Sequence, residues 1–360
     1  MHLTRRHFVG TMGAAALVGV TRITKGTDTV AYVGSYSSSG GAGLATANAS
    51  ATGALTIDHT VPGVPDASWL ATSHDGRILY TTNEEDPTGS VTALDRLSLT
   101  VINKQSTEGG SPTHLSVHSS GRYLLTANYS SGSVAVLPLA ADGRIGPLTD
   151  LVQHTGGSGG QPHAHQIITD PTGRWVIAVD LGNDSVYVYQ LTNGKLHQHQ
   201  QLVVATGTGP RHLVFHPAGT HAYLVCEDKS QVIVCTWDAT RGHLTPGQIV
   251  TTVERGAVTP NFPGEGVVTP DGRFLYVTNR GDNSIATYTT SGTTLTLRNT
   301  IPCGGNWPRH ATLDPTGRHL YVSNQRSGTV TWLPRDPATG ALSPVAGEAN
   351  ATAVAMVLFT

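Results

Sequence analysis

Charge is scarce in this 360-residue chain. Asp, Glu, Lys and Arg make up 13% of it, and the formal net charge is −2. So balanced a chain has no long-range pull on nucleic acid or on an anionic membrane, and no basic stripe interleaved with aromatics makes up for it. Aromatic residues, at 6%, are few for a broad interaction surface. Three cysteines do not make a disulfide framework. No credible long amphipathic helix appears beyond the N-terminal segment. The one apolar run there, Thr11 to Val20, is too short to hold a chain in a bilayer.

What the chain has instead is glycine, 42 residues of it, with much Thr, Ser and Val. That composition suits many short strands joined by turns. One unit recurs. It is clearest at Gly209-Pro210-Arg211-His212-Leu213-Val214-Phe215, where an apolar run follows a Pro-Arg-His triplet. A turn at Gly219 comes next, then a second apolar run that ends at Cys226-Glu227. Further copies begin at Pro112-Thr113-His114, Pro162-His163-Ala164-His165 and Pro308-Arg309-His310. Looser ones begin at Asp66-Ala67-Ser68 and Pro263-Gly264-Glu265. The turn glycines, Gly76, Gly121, Gly173, Gly219, Gly272 and Gly317, are 45 to 53 residues apart. Repeats of that period are propeller blades.

The expected fold is therefore all-β, a seven-bladed propeller of four-stranded antiparallel blades. Six blades run over about 66–105, 112–150, 163–203, 211–252, 264–300 and 308–343. The seventh is shared between the chain ends: strands within 30–58 lack an inner partner, and Ala353 to Phe359 reads as an inner strand without outer ones. Sharing closes the ring and removes open sheet edges. Residues 28–360 are then one domain. Residues 1–27 are set apart as an export signal of the twin-arginine type, because Arg5-Arg6 precedes a short apolar segment. That places the mature protein outside the cytoplasm, with the export machinery as a partner in transit. The plain alternative is a disordered basic tail on a cytoplasmic protein.

Blade topology locates the chemistry. Residues just before the first strand and just after the second emerge on one face, beside the central channel. Before the inner strands stand Thr113, His163, Arg211 and Arg309, with His114, His165, His212 and His310 just inside. After the second strands stand Glu84, Tyr129, Leu181, Glu227, Arg280 and Gln325. Glu227 and Arg280 share one register position in neighbouring blades yet differ in charge. Divergence on a repeated scaffold points to a ligand.

A cluster of His163, Arg211, Glu227 and Arg280 suits an anionic ester or lactone. Guanidiniums fork onto anions and stabilise an oxyanion, and a carboxylate or imidazole takes a proton from water. His165, His212, Arg309, His310 and Asn279 are the candidate substrate contacts. Bland readings stand beside these. The repeated histidines pack the channel, one of Arg211 and Arg309 merely bridges blades, and Glu227 with Arg280 is a surface ion pair. His163-x-His165 lacks acidic or cysteine partners for a metal, so none is expected, and no cofactor either. His197, His199, His216, His221 and His243 read as exposed or outer-strand residues. Cys226 and Cys235 flank a short turn, where they could oppose one another or simply be buried thiols.

Tyr32-Val33-Gly34-Ser35-Tyr36, Pro162-His163-Ala164-His165, Asp180-Leu181-Gly182, Gly209-Pro210-Arg211-His212, Asn279-Arg280-Gly281 and Pro308-Arg309-His310 resemble the lactonase family of seven-bladed propellers. That family includes a bacterial 6-phosphogluconolactonase and the fungal carboxy-muconate lactonizing enzyme. The resemblance covers nearly the whole chain after about residue 28. It implies a metal-independent enzyme acting on a lactone ring, with His163, Arg211, Glu227 and Arg280 matching the active site proposed for the muconate enzyme. Gly264-Glu265 departs from the Arg-His pattern and makes the channel more acidic. The leading expectation is hydrolysis of a small anionic sugar lactone. A muconate-type cycloisomerase and a non-catalytic exported binding propeller are the alternatives.

Overall fold

The computed structural model describes residues 28–158, 160–254, 256 and 259–360. The predicted export segment, 1–27, lies outside them. Among the described residues, 28 strands, β1 to β28 in chain order, form seven four-stranded antiparallel sheets. Among the described residues the sole helical element is a 3-10 turn at Ser37–Ser39, and none of their helices is long and apolar enough to cross a membrane.

Six sheets are consecutive runs of four strands. Their inner strands are β4 (Leu70–Thr72), β8 (Pro112–Val117), β12 (Ala164–Thr169), β16 (Pro210–Phe215), β20 (Phe262–Val268) and β24 (Pro308–Leu313). The seventh sheet has the order β28-β1-β2-β3. Its inner strand is the C-terminal β28 (Val354–Phe359), paired with β1 (Thr29–Ser35). Each inner strand contacts the next, and β28 contacts both β24 and β4, so the ring closes through the chain ends as the sequence implies.

Alternation builds the layers. In β13 (Val176–Asp180) and β17 (His221–Cys226) every residue is buried, because a middle strand has a neighbouring blade on each face. Ile177 and Val179 pack on Leu213 and Leu224 of the next blade, whereas Val176 and Ala178 pack on Leu125 and Ala127 of the one before. The turn glycines, Gly121 to Gly317, take positive φ, which two-strand turns of this kind need.

One expectation is corrected, and one open alternative is decided. His221 is neither exposed nor on an outer strand; it is buried in β17 and stacks on His216, with ring centroids 4.2 Å apart. Cys226 and Cys235 are buried free thiols that do not oppose one another: Cys226 pairs with Gln231, and Cys235 pairs with Ala222.

The inner strands share a local irregularity. Register shifts separate Pro112 from His114, Ala164 from Gln166, Pro210 from His212 and Pro308 from His310. One residue in each blade is thus bulged out of the ladder: Thr113, His165, Arg211 and Arg309. Bulges re-aim side chains next to functional sites. In β20 the shift between Pro263 and Gly266 leaves Gly264 at the bulge position.

Candidate active site

Counting from the turn glycine organises the mouth of the channel. Eight residues before it stand Thr113, His165, Arg211, Gly264 and Arg309; eight after it stand Glu84, Tyr129, Leu181, Glu227, Arg280 and Gln325. Eight of these residues, drawn from six blades, line one cavity of about 210 Å³: Glu84, Thr113, Tyr129, His165, Leu181, Glu227, Arg280 and Arg309. Its charged groups are two carboxylates and two guanidiniums.

Below it lies a plug. The residues one step further into the channel include Trp69, His114, Gln166, His212, Glu265 and His310. Trp69 lies 4.2 Å from His114 and 5.4 Å from His212, centroid to centroid. Both Glu265 oxygens lie 3.1 Å from His212 Nδ1, and His310 Nε2 is 4.0 Å from Oε2. Burial raises the Glu265 pKa and holds His114 and His212 well below the ordinary imidazole value. His212 and His310 are therefore core of the plug, as the bland reading had it, and neither lines the cavity.

Glu227 is the centre of the charged cluster. Its Oε2 lies 2.5 Å from Arg280 Nη2 and 3.4 Å from Arg211 Nε. Among the described residues no hydrogen bond to Oε1 is made. Arg280 is fixed further by donating from Nε to Phe262 O (2.9 Å) and from Nη2 to Pro263 O (3.1 Å). The side chain of Arg211 is 2% exposed and reaches across to the next blade, where Nη1 donates to Gly264 O at 2.7 Å. Glycine is needed at 264, since a Cβ would stand 2.6 Å from Thr278 Oγ1 and 2.9 Å from Arg309 O. Burial, and then the cations Arg280 and Arg309, push the Arg211 pKa down to about 9, which still leaves it charged at neutrality. Arg211 thus holds Glu227 from behind rather than lining the cavity.

Arg309 lies less tightly held, 3.9 Å from Glu84 and 5.4 Å from the ring centroid of Tyr36. Tyr36 in turn donates to Glu84 Oε2 at 2.9 Å. Neighbouring anions raise the Arg309 pKa against the effect of its burial.

The histidines differ from the sequence-based placement. His163 does not line the cavity. It stacks on Tyr129, with centroids 4.6 Å apart at 16°, and its Nδ1 bonds Tyr129 O at 3.0 Å. His165 occupies the register of Arg211 and Arg309 and lines the cavity. It is buried, and neither ring nitrogen bonds to protein; Nδ1 is fully enclosed without a partner. Burial, followed by Arg211 and His212, holds its pKa well below the usual value, so the ring is neutral at pH 7.

Asn279 is fully buried and its amide is committed elsewhere. It donates to Thr252 O (2.7 Å) and Ser284 Oγ (3.2 Å), and it accepts from Asn261. Asn83 and Asn128 reach Pro65 O and Thr107 O in the same way. The repeated asparagine ties a blade to its entry loop and does not reach the cavity.

The family model for the lactonase seven-bladed β-propeller matches residues 30–359. The chain belongs to that lactonase family. Among its relatives, a 6-phosphogluconolactonase of Bacillus subtilis is 35% identical over 269 residues, covering 72% of this chain and 77% of that protein. A crystal structure of a Lactobacillus plantarum protein superposes with a TM-score of 0.87 at 31% identity, over 92% of this chain and 99% of the other. The periplasmic gluconolactonase of Pseudomonas aeruginosa superposes with a TM-score of 0.85 at 27% identity and the same coverage. Tyr36, Glu84, Tyr129 and Trp69 complete the channel mouth and plug; Tyr36 ends one of the family motifs, yet none of the four stood among the candidate catalytic or substrate-contact residues. The eight-residue count from the turn glycine finds Glu84 and Tyr129.

Proposed function

We propose that this protein hydrolyses a sugar-derived lactone in the channel-mouth cavity, with 6-phosphogluconolactone as the default substrate. The observation that carries the reading is Glu227: two guanidiniums hold one of its oxygens, and the other is left for water beside the open edges of Arg280 and Arg309. The relatives named for 6-phosphogluconolactone and gluconolactone support the substrate class.

Water attacks the lactone carbonyl carbon and gives a proton to Glu227 Oε1. The carbonyl oxygen becomes an oxyanion, stabilised by the cations Arg280 and Arg309, which are already in place in a largely enclosed site. Collapse breaks the bond between the carbonyl carbon and the ring oxygen. The ring oxygen takes the proton back from Glu227, and the open-chain acid ionises. His165, neutral and unpartnered, hydrogen-bonds the substrate. Arg211 keeps Glu227 aimed. These roles move the imidazole from His163 to His165 and make Arg211 a positioning residue.

The test is a panel of lactones followed by acid release. Sugar δ-lactones should release acid with turnover well above the spontaneous rate. Isomerisation of a muconate diacid without sugar-lactone hydrolysis would replace the proposal with the cycloisomerase. No turnover of any substrate would leave a binding propeller.

We also propose that Arg5-Arg6 directs export, a reading supported by the periplasmic location stated for the Pseudomonas relative. An Arg5→Lys/Arg6→Lys variant should accumulate in the cytoplasmic fraction while the wild type does not. Wild-type protein confined to the cytoplasm would refute it.

A further inference from the structure

Trp307 is the most strained choice of residue at the mouth. Its φ is +65°. A bulky side chain in the left-handed region is an outlier. The loop itself demands that conformation. The corresponding loop residues of four other blades, Asp66, Ser111, Gly209 and Ala353, also have positive φ, and the last three immediately precede their inner strands. Those four are small or polar, as the left-handed region prefers. Of these five residues with positive φ, Trp307 alone carries a large ring. It is pinned on both sides: Trp307 N donates to Asn283 Oδ1 at 2.8 Å, and Trp307 O accepts from Gln325 N at 3.0 Å.

The ring joins two cations. The Arg280 guanidinium lies 5.5 Å from its centroid, and that of Arg326 only 3.3 Å. Arg326 follows the second strand of its blade, β25 (His319–Asn324), and so sits on the mouth face. It is exposed, and stacking on Trp307 is its sole side-chain interaction among the described residues. The backbone beneath is fixed, with Arg326 N donating to Asn306 O at 3.1 Å and Asn306 N to Ser327 Oγ at 3.0 Å. A stacked guanidinium keeps its in-plane N–H donors for a ligand, in the fork that matches phosphate. Trp307 is also next but one in sequence to the cavity-lining Arg309. The ring therefore spans from the reaction cavity to an outer cation with no protein anion of its own.

We propose that Trp307 and Arg326 form an outer anion subsite, which takes the phosphate at the far end of a sugar lactone whose carbonyl lies at Glu227 and Arg280. The proposal rests on the lactone reading of the cavity. It makes this pair the determinant of preference for a phosphorylated over an unphosphorylated sugar acid.

The open-chain acids 6-phosphogluconate and gluconate allow a test by calorimetry without turnover, on wild type, Arg326→Ala and Trp307→Asn. Asn tolerates the left-handed backbone, so the second variant folds without the ring. The wild type should bind the phosphorylated acid more tightly, and the ratio of the two affinities should fall about tenfold in each variant, the value of one charge-assisted fork at a partly exposed site. No preference in the wild type, or one that survives both substitutions, would overturn the subsite. A loss confined to Arg326→Ala would assign the phosphate to that guanidinium and remove the ring. An Arg326-dependent preference in a protein that opens no lactone would keep the subsite and refute hydrolysis.

Discussion

Replacing Glu227 by Gln should lower kcat on a sugar lactone by about 10²- to 10⁴-fold, the range over which a positioned base contributes. Gln keeps the size of the side chain and one oxygen for Arg280, but it cannot accept a proton from water. The substitution also removes the anion between two buried guanidiniums, so some stability is lost, on the order of 2 kcal/mol, less than when a buried partner is deleted outright. Activity is therefore to be taken per folded molecule. A second readout separates lost chemistry from lost structure. With Glu227 neutralised, the cavity gains a net positive charge, and the anionic product should bind more tightly, not less. Tighter product binding together with collapsed turnover is the expected pair of results. Wild-type turnover in the Gln variant would remove Glu227 from the chemistry.

The fold was legible because its signals are local and repeated. Glycines at the tight turn recur with every blade, and the period alone yields seven four-stranded sheets. Ring closure by Ala353 to Phe359 was legible for the same reason, as an inner strand without companions. The site was legible only where charge broke the repeat. Glu227 and Arg280 stand out, with Glu84, in a register that elsewhere holds Tyr129, Leu181 and Gln325, and the structure does bring Glu227 and Arg280 together, 2.5 Å apart. The histidine was misplaced because proline was used as the anchor. Pro162 lies two residues earlier in its blade than Pro112, Pro210 or Pro308 do in theirs, which slides His163 into the position that His165 holds. The turn glycine is the better ruler, since the two-strand hairpin it closes has a fixed length. Arg211 and Arg309 look alike in sequence, yet one is a buried strut and the other a cavity wall. What separates them is Gly264, which leaves room for the Arg211 side chain to cross to the neighbouring blade; no count along the chain reveals that.

That reassignment gives the second large effect. His165→Ala should lower kcat/KM by about 10- to 100-fold, because a buried neutral imidazole with an enclosed, unpartnered Nδ1 is lost from the cavity wall. His163→Ala should change it less than about threefold by the same measure, since that ring stacks on the far side of Tyr129. The pH profile carries the sign. Burial, then Arg211, His212, Arg309 and Arg280, lower the His165 pKa, so protonation, and the activity loss it causes, lies on the acid side of the ordinary imidazole range. Replacing Arg309 by Met removes one of those cations. The folded-state pKa of His165 should then rise, and the acid limb of kcat/KM should move to higher pH, whatever the change in its amplitude. An acid limb that stays in place in Arg309→Met and vanishes in His163→Ala would return the imidazole role to His163.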